Sequence, residues 1–424
     1  MALAALVSSF VILLIIGFPI AFCLLAGSIL YLVIQDYPLT LITQRMFEGM
    51  NGFPLLAVPF FVLTGQLLLK GRLLRKMCEF ANAMFGHIRG GLAMINIVVS
   101  LFLGSIIGLA VADAAALGSF LIPMMKDEGY EAKFASAITA SSSLLGPIMP
   151  PSVLMILYAI AVGKTSIAGL FLGAIIPAFM ICGGQMVVTY FISIKKNYPK
   201  HPKAHWKQKW HAFKGSILAL LLPVIILGGI FGRVFTVTEA SAVAALYALI
   251  VGFFIHRDIH LKDLPGIILE TALITGLVLI LAGASTVTAW IIANEQVISR
   301  LAEPLGQLPG IIFLLLVNIF LLLNGCFMDD YASVIIIGPI LAPIAWVFGI
   351  DPIHIGVIIC VNLVIGLSTP PFGIVLFVTS PIAGVTLEET VSAAIPLILI
   401  SIVVLLLITY VPSISLFLPR LFGY

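Results

Sequence analysis

Apolar runs of about twenty residues follow one another from residue 3 to residue 418, and most of the charged residues lie in the stretches between them. A backbone in hydrocarbon must satisfy its own polar groups, so only helices or closed barrels cross a bilayer, and runs of this length read as helices. With 62% hydrophobic and only 9% charged residues, the chain has too little charge for a soluble domain. The fold class expected is therefore an all-α polytopic membrane protein. The first run, 3–33, has neither a basic leader nor a small-residue cleavage pattern, so it reads as a span. The five cysteines show no C-x-x-C spacing, which supports neither a disulfide framework nor a zinc site.

Crossings are expected near 3–33, 54–69, 132–163, 165–194, 215–232, 236–255, 270–294, 352–381 and 390–418. The stretches 91–125 and 310–346 are each too long for one span and carry Gly and polar residues at their middle, which suggests re-entrant hairpins. The loop 195–214 holds seven Lys and no acid, placing it in the cytoplasm by the positive-inside rule. Counting from that loop puts sixteen of the 21 Lys and Arg inside, the start of the chain in the cytoplasm and its end outside. This bias answers to the lipid bilayer, not to a nucleic acid. Residues 70–90 read as a helix lying in the interface, with Leu73, Met77, Phe80 and Met84 on one face.

Shifted by 220 residues, the chain falls on itself. Gly146, Pro150 and Pro151 meet Gly366, Pro370 and Pro371, and these are the only two Pro-Pro pairs. Gly118, Pro123, Gly129 and Ala174 meet Gly338, Pro343, Gly349 and Ala394. The division expected is a first repeat over 1–194, a basic loop and connecting helix over 195–235, and a second repeat over 236–424. One unmatched crossing between the copies inverts the second. Inverted repeats with discontinuous helices are a secondary-transporter architecture, with binding near the midplane.

Each Pro-Pro pair breaks an apolar helix and frees carbonyl oxygens, which suit a hard cation such as Na⁺; the helix ends there can face an anion. The first break, SSSLLGPIMPPS (141–152), offers Ser141, Ser142, Ser143 and the carbonyls around Gly146 and Met149. The second, NLVIGLSTPPFG (362–373), offers Asn362, Ser368 and Thr369. Their expected partners are the hairpin tips, GSIIGLAVADAAALG (104–118) with Ser105, Gly108 and Asp113, and NGCFMDDYAS (324–333) with Asn324, Gly325, Asp329 and Asp330. Acids at membrane depth are functional candidates, so Asp113, Asp329 and Asp330 are open to a proton-relay, an ion-ligand or a hairpin-stabilising role. Arg233 and Glu239 read as a structural ion pair, and Asn96 and Asn318 as packing hydrogen bonds. No H-E-x-x-H, nucleophile elbow or phosphate-binding Gly loop occurs, so no enzyme and no cofactor are expected.

The motifs GSIIGLAVADAAALG, GPIMPPS, TVTEASA and GLSTPPFG together resemble the large membrane subunit of TRAP (tripartite ATP-independent periplasmic) transporters, over essentially the whole chain. The first tip departs from the family pattern at Ile107 and Leu109, where small residues are usual. The resemblance implies an ion-transporter-like fold in the bacterial inner membrane, importing a small organic acid such as sialic acid or a C4-dicarboxylate with Na⁺ as the coupling ion, by an elevator motion. It implies a separate small four-helix membrane subunit and a periplasmic substrate-binding protein. Within it, Ser105, Gly108, Gly146, Met149 and Pro150 are candidates for one Na⁺ site, and Gly325, Met328, Gly366 and Thr369 for a second. Ser143, Ser152 and Asn362 are candidates for the substrate carboxylate. A stand-alone Na⁺- or H⁺-coupled carboxylate carrier is the alternative.

Overall fold

The structure is a computed structural model that describes residues 2–70, 73–297, 300 and 308–424. Among these residues it is helical without a strand, and eight stretches are long and apolar enough to cross a membrane. The chain begins with α1 (Ala2–Ile16), α2 (Ile20–Ile34), α3 (Thr40–Met50), α4 (Ala57–Lys70) and α5 (Leu73–Phe85). It continues with α6 (Gly91–Val99), α7 (Ala110–Asp127), α8 (Ala132–Ser143), α9 (Val153–Val162) and α10 (Ile167–Lys195). After the basic loop come α11 (Trp206–Phe231), α12 (Val237–Ile250) and α13 (Leu264–Asn294). The last described helices are α14 (Gly310–Phe327), α15 (Asp330–Val347), α16 (Pro352–Gly366), α17 (Ile374–Ala383), α18 (Leu387–Tyr410) and α19 (Ser413–Leu421).

Packing sorts these helices into two bodies. In one, α4 packs on α12, α2 and α3 on α13, and α5 on α11. The other is built around α8, α10, α16 and α18. Away from the α5–α6 connection, the bodies meet mainly where α13 touches α15 and where α4 touches the turn 105–107. At the latter, a Cβ on Gly65 would stand 3.0 Å from the Ile107 Cα, so glycine lets the two backbones close.

Both expected hairpins are helix–turn–helix units, α6–α7 turning at Gly108 and Leu109 and α14–α15 turning at Met328 and Asp329. The base of the first is tied to the basic loop: the Gly90 N–H donates to the Pro199 carbonyl, the His201 N–H to the Gly86 carbonyl, and His201 Nε2 lies 3.0 Å from Glu128. There Lys196 bonds Glu131 at 2.6 Å and holds that carboxyl below its ordinary pKa. The base of the second sits at the other end of α10, where Gly169 and Gly173 meet Ile353 and Phe313 stacks on Phe348. The hairpins thus start from opposite ends of the body and face each other tip to tip.

The broken spans also form where expected. α8 and its extension Leu145–Ile148 meet α9 at a 47° bend, and α16 and α17 are separated by residues 367–373. Each distal half crosses to the other hairpin: α9 packs on α15 and α17 on α7. The glycines matched in the repeat register make room for this exchange. A Cβ on Gly118 would stand 3.3 Å from Ile382, and one on Gly338 would stand 3.5 Å from Val162. Val162 and Ile382 are themselves one repeat apart.

Three sequence readings change. Residues 3–33 are two packed helices, because Gly17 (φ +93°) and Pro19 turn the chain back on itself. Ala2 and Leu6 then cluster with Tyr31, Leu32 and Ile291, and Gly27 lies against the Leu6 carbonyl. The interface helix buries Met77, Cys78 and Ala81, whereas Met84 is 38% exposed, so its buried face is rotated from the expected one. Arg233 donates to the Phe422 carbonyl and covers the Tyr424 ring, while Glu239 closes a capping box with Thr236, so the expected pair is not made. The fold-back has a direct test: Ala4→Cys and Asp36→Cys should be labelled by an impermeant maleimide from the same side of the membrane. Labelling from opposite sides would restore a single span.

Candidate ion and substrate site

Each tip meets the break of its own half through a pair of glycines. A Cβ on Gly104 would stand 2.9 Å from the Gly146 Cα, and one on Gly366 would stand 2.6 Å from the Gly325 Cα. Real Cβ atoms do not approach that closely, so only glycine allows backbone to lie on backbone here. Gly146, Gly325 and Gly366 are among the residues the sequence singles out; Gly104, which meets Gly146, is not.

In the first break the short helix Leu145–Ile148 ends at Met149, which is extended (φ −75°, ψ 128°). Ser152 caps α9, accepting from the Met155 N–H and donating to the Pro147 carbonyl at 2.6 Å. Among the described residues no hydrogen bond reaches the carbonyls of Met149 and Pro150. The Ser143 hydroxyl bonds the Ala140 carbonyl at 2.9 Å. Residues 105–107 form the last helical turn before Gly108, whose φ of +72° is left-handed, and this places the Ser105 backbone beside the break.

Asp113, in the first turn of α7, is fully buried at this junction, and neither carboxylate oxygen has a hydrogen-bond partner among the described residues. A Cβ on Gly104 would lie 3.2 Å from one of its oxygens, and the Ser100 hydroxyl faces it. A buried carboxylate left unpaired carries a large desolvation cost, so the position calls for a cation or a proton.

In the second break, Thr369 donates its hydroxyl to the Ile365 carbonyl at 3.0 Å and its N–H to the Gly366 carbonyl at 2.9 Å. The Thr369 oxygen keeps lone pairs to offer. Met328 is buried and extended, and its sulfur accepts from Asn324. Asp329 caps α15 by accepting from the N–H groups of Tyr331 and Ala332. Asp330 is buried and accepts from the Tyr331 N–H. The Cys326 thiol donates to the Pro370 carbonyl at 3.3 Å, a further tie between tip and break.

Asn362, a candidate for the substrate, is part of a buried clamp, and its own side-chain oxygen has no hydrogen-bond partner among the described residues. Its amide donates to the Asn318 side-chain oxygen at 2.7 Å, and Asn318 donates to Thr409. The first half repeats this arrangement with Asn96, Thr139 and Ser142, and Ser142 lies one repeat before Asn362. Asn96 and Asn318 are thus packing groups, as their sequence context suggested. Two cavities flank the junction. One of 310 Å³ lies between the tips and the other body, lined by Phe22, Leu277, Leu109, Tyr331 and Asp329. The other, of 220 Å³, includes Glu48, Ser285, Thr286, Leu157 and Pro339. Among the described residues no three His, Cys, Asp or Glu side chains converge as transition-metal ligands would.

Residues 7–414 match the family model described as the tripartite ATP-independent periplasmic transporter, DctM component. The chain belongs to that family. This TRAP permease is 39% identical to the sialic acid TRAP transporter large permease protein SiaM of Vibrio cholerae, over 96% of each chain. It is 38% identical to the C4-dicarboxylate TRAP transporter large permease protein DctM of Pseudomonas aeruginosa, over 94% of each. Among solved structures it resembles the Alcanivorax borkumensis YdaH transporter, with a TM-score of 0.60 and 16% identity, over 87% of this chain and 86% of that one. That likeness concerns the fold.

The glycine contacts give a test. Gly366→Ala should cost the permease roughly 1–3 kcal/mol through overpacking and lower its melting temperature. Gly183→Ala, where a Cβ would meet nothing within 4 Å, should leave it unchanged. Equal effects would show that the tip–break contact is not tight.

Proposed function

We infer that this permease imports a small organic acid across the bacterial inner membrane, driven by Na⁺. The observation that carries the Na⁺ reading is the junction of the first tip and break. There an unpartnered buried carboxylate, Asp113, lies on the Gly104–Gly146 contact, in the same junction as the unbonded carbonyls of Met149 and Pro150. Carboxylate and carbonyl oxygens at a closed backbone crossing are the ligands of a hard monovalent cation. The second junction supplies Gly366, Thr369 and Met328 in the matching place.

The relatives named for sialic acid and for C4-dicarboxylates share a carboxylate, which is the chemistry proposed for the cargo. The helix N-termini at the breaks favour an anion. The partners are a small membrane subunit and a periplasmic binding protein that delivers the acid. The body holding both hairpins, joined to the other by narrow contacts, is the part proposed to move as an elevator, with the hairpins re-entrant and the repeats inverted. The basic loop lies in the cytoplasm and the end of the chain outside. With α1 folded back on α2, the start of α1 also lies outside.

Reconstitution in proteoliposomes tests this. Uptake should need an inward Na⁺ gradient, the small subunit and the loaded binding protein. Uptake without the binding protein would instead establish a stand-alone carrier, and a pH gradient serving in place of Na⁺ would make Asp113 a proton site. Thr369→Val should raise the Na⁺ concentration for half-maximal uptake roughly twofold to tenfold, the worth of one oxygen ligand taken as one hydrogen bond. An unchanged value removes Thr369 from the second site.

A further inference from the structure

The carbonyl of Gly108, a candidate ligand of the first ion site, already has one partner. The Tyr331 hydroxyl donates to it at 2.8 Å. Tyr331 belongs to the opposite half of the chain, as the second residue of α15 and two residues after Asp329. Among the described residues this is the one hydrogen bond that joins the two tips.

Both ends of Tyr331 are fixed. Its N–H donates to the carboxylates of Asp329 and Asp330, each at 3.1 Å, so its backbone moves with the cap of the second tip. Its side chain is buried and, with Leu109 and Ala332, lines the 310 Å³ cavity. Gly108 is equally constrained: its left-handed backbone ends the turn 105–107, and its N–H donates to the Gly104 carbonyl at 2.7 Å. Gly104 is the residue that rests on Gly146. A shift of the second tip's cap is therefore passed through one phenol to the backbone at the first junction.

A carbonyl oxygen has two lone pairs, so the bond from Tyr331 leaves one for a cation while fixing the direction of both. We propose that Tyr331 is a positioning residue that couples the two ion sites, its hydroxyl setting the Gly108 carbonyl of the first site according to the seat of the second tip. Coupling of this kind is reciprocal, and its proposed sign is positive: an ion that seats the second tip orients the Gly108 carbonyl for the first site, and the converse holds equally. The proposal rests on the Na⁺ reading above.

The test is Tyr331→Phe, which keeps the ring and removes only the donor, compared with Tyr247→Phe. The latter deletes a like bond, from the Tyr247 hydroxyl to the Leu218 carbonyl at 2.9 Å, inside the other body. Na⁺ saturation of uptake is measured with the small subunit and binding protein present. The Na⁺-induced rise in melting temperature, measured in detergent, reads binding without transport. For Tyr331→Phe the Hill coefficient should fall toward one and half-saturating Na⁺ should rise roughly twofold to tenfold, the span of one neutral hydrogen bond. The KM for the organic acid at saturating Na⁺ should stay constant. Tyr247→Phe should leave the Na⁺ curve in place. An unaltered Hill coefficient in Tyr331→Phe overturns the coupling, and so does an equal loss in Tyr247→Phe. Uptake by the unmodified protein that ignores Na⁺ overturns the ion reading itself, and is seen before either variant is made.

Discussion

Backbone lies directly on backbone at Gly104–Gly146 and at Gly325–Gly366, and the interior of the body that holds both hairpins follows from those two contacts. A helix broken in an apolar medium leaves polar groups whose exposure to lipid would cost several kcal/mol each. Burying the break under a hairpin tip removes that exposure, but only if nothing larger than hydrogen stands between them. Where glycines meet, the freed oxygens face a closed protein junction in place of lipid. The same geometry that makes the break tolerable underlies the proposed cation site, because oxygens shielded from water and without donors favour an ion that can replace both.

The exchange of distal helices sets the mechanical unit. With α9 on the second hairpin and α17 on the first, neither half can shift alone without opening an apolar interface. The Asn96–Ser142 and Asn318–Asn362 clamps add buried hydrogen bonds between hairpin arm and broken span, and breaking one would strand its partner unsatisfied. Stiffness is therefore concentrated within this body, while its contacts with the frame at Gly65 and along α13 are narrow. A division of that kind favours displacement of the whole body over opening of single hairpins.

What was legible in the sequence was what the backbone demands. Breaks require Pro, close approaches require Gly, and spans require length, so residue type alone marks them. The hairpins, both broken spans and the Gly118–Gly338 register could be read for that reason. The fold-back at Gly17 and Pro19 was missed because a three-residue turn barely interrupts an apolar run of thirty. α3 was missed because its sequence, TLITQRMFEGM, is half polar and earns its place only by packing on α13. The Asn362–Asn318 bond and the Tyr331–Gly108 bond were not legible, because the partner of a polar side chain in a distant segment leaves no local mark. Arg233 failed in the same way: its partners lie near residue 422, far from the adjacent acid that proximity favoured.

The two halves share a backbone plan but differ in exposure. Residues 141–159 are buried without interruption, whereas Pro370, Pro371 and Phe372 of the second break are exposed, with Phe372 at 50%. Phe372 lies against Phe327 with ring centroids 5.3 Å apart, so an apolar pair stands at the open side of the second junction. A body with two matching junctions, one sealed and one open, need not change its internal packing to serve both sides of a membrane. On the proposed elevator, moving it against the frame would bury the open junction and expose the other, while the tip–break contacts stay closed around their oxygens. On that reading the asymmetry comes from where the body rests and not from a difference between the halves.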